Sequence, residues 1–321
     1  MQRLEAGERQ ALARAISLVE DEDPRAKALL DALYGRTGRA YRVGITGPPG
    51  AGKSTLAAAL ARRLRDRGRR VGILAVDPTS PFTGGALLGD RIRMGGVAAD
   101  PDVFIRSMAT RGSLGGIART TSEAADILDA AGKDVVIVET VGVGQSEVEV
   151  RDAVDTTVVV LSPESGDAVQ TLKAGLMEIA DVFCVNKADR EGADRMAAAL
   201  DAMLELGVDP HRQDAGAVWR PPVVRTAAAT GAGVEELDLA LERHRAHLEA
   251  AGALDRKRRE RVEGKIRLLV EEKLWAHVWK GEAFERELAR RGEEVLAGRA
   301  TPYGAAHEIF ESFVARLRGS A

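Results

Sequence analysis

Nine consecutive residues, Gly47-Pro48-Pro49-Gly50-Ala51-Gly52-Lys53-Ser54-Thr55, fit the pattern G-x-x-x-x-G-K-[ST] at every fixed position. Glycines so spaced let the backbone wrap a phosphate with successive N–H groups turned inward, and a following helix adds its dipole. In such a loop Lys53 bridges the β- and γ-phosphates, and the Ser54 hydroxyl ligates Mg²⁺. A second constellation, Asn186-Lys187-Ala188-Asp189, has the form N-K-x-D. Guanine presents an N1–H and a 2-amino donor side by side, and one carboxylate, Asp189, accepts from both; adenine has no such pair. Asn186 can tie the base edge to the phosphate loop, and the aliphatic stem of Lys187 can lie against the base. Together the two sets predict a site for GTP and its product GDP.

Three more segments carry chemistry that a GTP site needs. Leu74-Ala75-Val76-Asp77 ends an apolar run in a carboxylate, and Val138-Glu139-Thr140-Val141-Gly142 does the same, with a glycine whose N–H suits a γ-phosphate. Between them the glycine-rich stretch 82–94 contains Asp90 and Arg93. Mg²⁺ keeps several waters and takes few protein oxygens, so Ser54 with one or two of Asp77, Asp90 and Glu139 suffices. Arg93 is the candidate for neutralising charge on the transferred phosphoryl group, an arginine finger supplied in cis. Lys53, Asp77, Arg93 and Glu139 are therefore the candidate catalytic residues.

These motifs need a scaffold that brings them to one edge. Seven short apolar runs, at 41–46, 70–77, 103–108, 135–139, 156–161, 181–186 and 222–226, alternate with helical windows such as 122–131 and 193–206. Near-continuous Val, Ile and Leu in most of them predict strands covered on both faces: an α/β fold of the P-loop NTPase type with a mostly parallel central sheet. Each motif falls just past a predicted strand, at the edge where open α/β sheets bind ligands.

Two flanks lie outside this pattern. Residues 1–38 read as helices, with Asp23-Pro24 as a helix start. Residues 256–321 are almost wholly helical in period, with Ile266, Leu269, Val270, Leu274 and Val278 at three- and four-residue spacings. Trp275 and Trp279 share a face, and Thr301-Pro302 reads as the cap and first residue of a last helix. The expected organisation is an N-terminal helical extension (1–38), a nucleotide domain (39–255) and a C-terminal arm (256–321) whose apolar stripe makes a homodimer. The basic run Arg256-Lys257-Arg258-Arg259-Glu260-Arg261 reads as a solvated helix face.

The 321-residue chain has a net charge of −3, which gives no electrostatic reason to expect nucleic acid. A single cysteine, Cys184, fits a reducing compartment, and its apolar setting reads as core filling. No apolar run approaches a membrane span and no signal peptide opens the chain, so a soluble cytoplasmic protein without a membrane partner is expected.

The loop at 47–55, the segments VDPTSPFTGGALLGDRIRM and ETVGVGQSE, residues 163–175 and the NKAD motif make the chain resemble the methylmalonyl-CoA mutase-accessory GTPases of the MeaB/ArgK type. The resemblance covers essentially the whole chain. It implies a homodimeric GTPase that gates adenosylcobalamin loading onto a cobalamin-dependent acyl-CoA mutase and protects that mutase. It also implies switch segments responding to the mutase, with Gly142 and Gln145 in one and Asp167, Gln170 and Lys173 in the other. In one place the chain departs from the family: Ala227-Ala228-Ala229 follows Thr226 where Ser-Ala and a bulky residue are usual. The three alanines are expected beside the base, with the Ala228 N–H toward the guanine 6-oxo group. Two other readings, an ATP-using kinase linked to basic amino-acid transport and a GTP-dependent metal-insertion protein, fit less well. Asp189 would face adenine without a donor pair, and five scattered histidines with one cysteine make no cargo-metal cluster.

Overall fold

The computed structural model describes residues 2–78, 94–110, 116–140, 146–164, 176–206, 219–279 and 282–319. Seven strands, β1 (Tyr41–Thr46), β2 (Val71–Pro78), β3 (Val103–Thr110), β4 (Val135–Thr140), β5 (Thr156–Leu161), β6 (Val182–Asn186) and β7 (Val223–Thr226), form one sheet in the order β3-β2-β4-β1-β5-β6-β7. Every neighbouring pair is parallel. The order reverses on either side of β1, so the C-terminal ends of β1, β4 and β5 open the crevice where such sheets take ligands.

Alternation along each strand divides the core into layers. Val43 and Ile45 of β1, Val135 and Ile137 of β4, and Val158 and Val160 of β5 share one cluster with α4 (Lys53–Asp66) and α10 (Val234–Ala250). Val136 and Val138 face the other way, against α6 (Gly116–Ala130) and α7 (Ser146–Ala153). Beyond β5, Val159 and Phe183 pack on α9 (Ala193–Leu206). Cys184 is fully buried with its Sγ 3.2 Å from Thr226 Oγ1, and burial pushes the thiol up to about 12, the chemistry of a core filler. Small helices α1 (Gln2–Glu5), α5 (Gly95–Ala98) and α8 (Met177–Ile179) complete this part of the chain. No described helix is long and apolar enough to cross a membrane.

The N-terminal helices are built into this core. In α2 (Arg9–Glu20), Leu12, Ile16 and Val19 are buried with Ile127 and Leu128 of α6, and in α3 (Pro24–Leu33) the Asp23 side chain caps the helix by accepting from the Arg25 N–H at 2.8 Å. Arg9 reaches under the sheet to donate to the carbonyls of Ala98 at 2.9 Å and Val103 at 3.0 Å. The chain forms two compact units, 1–261 and 262–321, so residues 1–38 belong with the sheet. The second unit holds the rest of α11 (Ala253–Trp279) with α12 (Glu282–Leu296) and α13 (Pro302–Gly319). Thr301 caps α13, its Oγ1 accepting from the Gly304 N–H at 3.1 Å.

The basic run at 256–261 is not a solvated face throughout. Arg261 donates to Asp155 Oδ1 at 2.7 Å and to the Asp152 carbonyl at 3.3 Å, Arg258 to the Gly38 carbonyl at 2.6 Å, and Lys257 to the Asp155 carbonyl at 3.1 Å. Alternating charge in the sequence hid the fact that one helical side of the run meets carboxylates and carbonyls at the strand starts, while Arg256 and Arg259 are exposed.

Beside this anchor lies a buried polar cluster. His244 Nδ1 meets Thr156 Oγ1 at 2.7 Å, its Nε2 lies 3.4 Å from Asp181 Oδ1, and the Trp219 ring packs on it at 4.7 Å. Burial lowers the His244 pKa to about 4 despite the attraction of Asp181, so at neutral pH the contact is a hydrogen bond of a neutral ring. Because the folded value lies below the unfolded value of about 6.5, this contribution to stability is complete above pH 6.5 and is lost as the pH falls toward 4. Moving from pH 7 to pH 5 should cost the native protein about 2 kcal/mol more than it costs a His244→Gln variant. Urea unfolding at both pH values measures this, and equal losses would show that His244 titrates normally.

Candidate functional site

The loop joining β1 to α4 takes its shape from three glycines, Gly47, Gly50 and Gly52, with φ of 136°, 79° and 88°. A Cβ on Gly47 would lie 2.0 Å from the Val160 carbonyl oxygen, and one on Gly52 would lie 2.4 Å from Asn186 Nδ2. Only glycine lets the loop pass this close to β5 and β6. Gly52 is also the N-cap of α4, so no side chain caps the first helical N–H groups, an arrangement that suits a bound anion.

Lys53 opens α4 and is buried; its Nζ donates back across the loop to the carbonyls of Gly47 at 2.7 Å and Pro48 at 2.9 Å. One residue on, Ser54 Oγ donates to Glu139 Oε1 at 2.5 Å. Glu139 is 5% exposed and stands in register with Ile45 of β1 and Ala75 of β2. Asp77 lies two residues past Ala75 along β2, so its backbone belongs to the same edge. Thr55 follows in the first turn of α4. Below them, Thr140 Oγ1 donates to Thr46 Oγ1 at 3.0 Å, linking the ends of β4 and β1.

Asn186, at the end of β6, joins the two halves of the site. Its Nδ2 donates to the Ala51 carbonyl at 2.8 Å, and its Oδ1 accepts from Thr226 Oγ1 at 3.0 Å and from the Ala228 N–H at 3.1 Å. The phosphate loop, the N-K-x-D turn and the loop after β7 are thus held by one buried amide. The Ala228 N–H is therefore engaged by Asn186, whereas the sequence suggested a contact with the guanine 6-oxo group. Ala227 pairs its N–H with the Ala232 carbonyl at 2.9 Å and, like Ala228, is buried; Ala229 follows in the same turn. Lys187 has φ of 57°, the left-handed conformation that turns the chain at the strand end, and its Nζ meets Glu164 at 2.6 Å. Asp189 is 58% exposed, its carboxylate 3.7 Å from Arg190 Nε.

Lys53, Ser54, Glu139 and Asn186, 133 residues apart in sequence, thus converge within one connected set of contacts. The side chain of Asp77 and all of Asp90, Arg93, Gly142, Gln145, Asp167, Gln170 and Lys173 lie outside the described residues. Sequence reasoning missed Thr46, Thr140 and Thr226 as supports and Glu164 as the partner of Lys187. A signal was present: the apolar runs of β1, β4 and β7 each end in threonine, a hydroxyl at the ligand edge of the sheet.

The family described as methylmalonyl Co-A mutase-associated GTPase MeaB matches residues 12–283. A Pyrococcus abyssi protein named as a GTPase is 50% identical over 98% of this chain and 96% of its own length. The mouse mitochondrial methylmalonic aciduria type A homolog is 35% identical, with 97% of this chain and 78% of that protein covered. Among solved structures, that of an LAO/AO transport system kinase superposes with a TM-score of 0.72 at 31% identity, covering 97% of this chain and 95% of the other.

Proposed function

The chain belongs to the methylmalonyl-CoA mutase-associated GTPases of the MeaB type, and from that premise we propose that it hydrolyses GTP to gate adenosylcobalamin loading onto a cobalamin-dependent acyl-CoA mutase and to protect that enzyme. The observation that carries the hydrolytic reading is the Ser54–Glu139 contact at 2.5 Å beneath the phosphate loop. A hydroxyl and a carboxylate in contact at the ligand edge form a hard-oxygen donor set that fits Mg²⁺, with Asp77 and Asp90 as further carboxylate candidates. When bound, Mg²⁺ supplies charge neutralisation at the β- and γ-phosphate oxygens. The chain's own part is to position: the glycine loop cradles phosphate, Lys53 turns from the loop carbonyls to the phosphates, and Asn186 keeps the base and phosphate loops in register.

In this reading the protein acts in the cytoplasm as a homodimer. Ile266, Val270 and Leu274 are half exposed on α11, an apolar stripe that supports a role for the arm in dimerisation. Arg93 and the segments containing Gly142, Gln145, Asp167, Gln170 and Lys173 respond to the mutase by completing the charge neutralisation. Single-turnover GTP hydrolysis should therefore rise at least about tenfold when the cognate mutase is added. Arg93→Ala should lower the stimulated rate with little change in GTP affinity, the pattern of an interaction made mainly in the transition state. A rate indifferent to the mutase, or an Arg93→Ala variant that hydrolyses normally, would overturn this assignment of roles.

A further inference from the structure

At the opposite edge of the sheet, where β1, β2 and β4 begin, the surface holds an open recess of about 380 Å³. Its walls carry six cations, Arg36, Arg39, Arg69, Arg70, Lys133 and Arg245, against two carboxylates, Asp129 and Asp134. We propose that this recess is a second ligand site, independent of the nucleotide, that takes a small anion with two or more phosphate groups.

The two carboxylates are held in place by backbone donors at the strand starts and stay ionised there. Asp129 accepts from the backbone N–H groups of Gly38 at 2.7 Å, Arg39 at 3.2 Å and Ala40 at 3.0 Å. Asp134 accepts from the Arg70 N–H at 2.7 Å, with the Arg70 guanidinium 3.8 Å away. Two cations have partners that do not line the recess: Arg36 pairs with Glu5 at 2.8 Å and Arg245 with Glu249 at 2.8 Å. Arg39 and Arg69 make no side-chain hydrogen bond or ion pair among the described residues. Six cations against the two lining carboxylates and these two outside partners leave two cationic charges in excess in one recess, on a chain of net charge −3, and a concave wall focuses their potential.

Lys133 stands in the same wall. It is 6% exposed, and its Nζ donates to the Asp102 carbonyl at 2.8 Å. Burial first, and then the charges of Arg70, Arg9 and Arg65, bring its pKa down to about 8 despite Asp102 nearby. A multiply charged anion in the recess opposes the repulsion among these groups. The preference is for phosphate over an apolar or singly charged ligand, since arginine forks bind phosphate oxygens in pairs.

The test is calorimetric titration of the full chain with inorganic pyrophosphate, run on protein saturated with GDP so that the phosphate loop is filled. Inorganic phosphate and citrate serve as parallel titrants to separate polyphosphate recognition from attraction to any anion. Pyrophosphate should bind more tightly than either and weaken as salt is raised. Near pH 8 its binding should be accompanied by proton uptake as the Lys133 pKa returns upward, seen as a heat that varies with the buffer's ionisation enthalpy. The double substitution Arg39→Glu with Arg69→Glu, at two exposed side chains remote from the phosphate loop, should weaken pyrophosphate at least about tenfold and leave GDP affinity unchanged. Binding no tighter than that of citrate or phosphate, or equal pyrophosphate affinity in the double variant, would overturn the proposal.

Discussion

Replacing Asp189 by asparagine should abolish the preference for guanine over adenine nucleotides, a discrimination expected to be on the order of 10⁴ in the unmutated protein. A carboxylate accepts from both N1–H and the 2-amino group of guanine, whereas the amide of asparagine offers one acceptor and one donor, and its N–H would oppose the amino group. Xanthine keeps N1–H but has a 2-oxo group instead, so the same substitution should improve XDP binding. The surroundings make this a clean experiment. Asp189 is 58% exposed, so the change creates no cavity and leaves no buried charge behind. The structural ties run instead through Asn186, which holds Ala51, Thr226 and Ala228. Titration with GDP, ADP and XDP reads the result directly, and equal affinity of the native protein for GDP and ADP would refute the guanine assignment itself.

The division of labour between Asp189 and Asn186 also shows what was legible in the chain and what was not. Strand runs such as Val158-Val159-Val160-Leu161 announce themselves because both faces of a covered parallel strand must be apolar, and all seven appear in the sheet. The phosphate loop is equally plain, since steric limits at Gly47 and Gly52 leave no choice of residue. The carboxylate of Glu139 was legible by its place at a strand end, and it meets Ser54 85 residues away in sequence. Hydrogen-bond partners were not legible. The Ala228 N–H has two plausible acceptors, a base and the Asn186 side chain, and sequence spacing cannot choose between them. The basic run at 256–261 failed for a related reason. Helical periodicity fixes which residues share a face, but not which face will find a carboxylate on another element. Only the fold brings Asp155, at the start of β5, beneath Arg258 and Arg261.

Removing that carboxylate should be the most destabilising of the substitutions considered, at about 3–5 kcal/mol for Asp155→Ala. Asp155 is fully buried and accepts from the Arg42 N–H at 3.0 Å and from Arg261 at 2.7 Å, with Arg258 at 3.4 Å. Burial alone would raise its pKa, but the Arg261 and Arg258 guanidiniums more than offset this and hold it below the usual carboxylate value. Truncation leaves Arg261 mostly buried, with its charge uncompensated, and frees the Arg42 N–H from its acceptor. Asp155→Asn keeps the volume and one acceptor oxygen, so it should cost less than alanine. Because the folded pKa is lowered, the contribution of the native carboxylate is complete above the unfolded value of about 4 and disappears as the pH falls below it, so the gap between native and variant should close in acid. Urea unfolding at pH 7 and near pH 3 tests both statements, and a loss under about 1 kcal/mol at pH 7 would show that the cluster is neutralised some other way. The same cluster has a functional position. Arg261 also holds the Asp152 carbonyl at the end of α7, the helix that begins just after Gly142 and Gln145. If GTP reorganises those residues, α7 is the element that transmits the change toward the root of α11. A variant with the anchor cut should then bind GDP with unchanged affinity yet lose the stimulation of hydrolysis by the mutase. Retention of full stimulation in a folded Arg261→Ala protein, which loses the donor to both Asp155 and the Asp152 carbonyl, would mean that the two ends of α7 are not coupled.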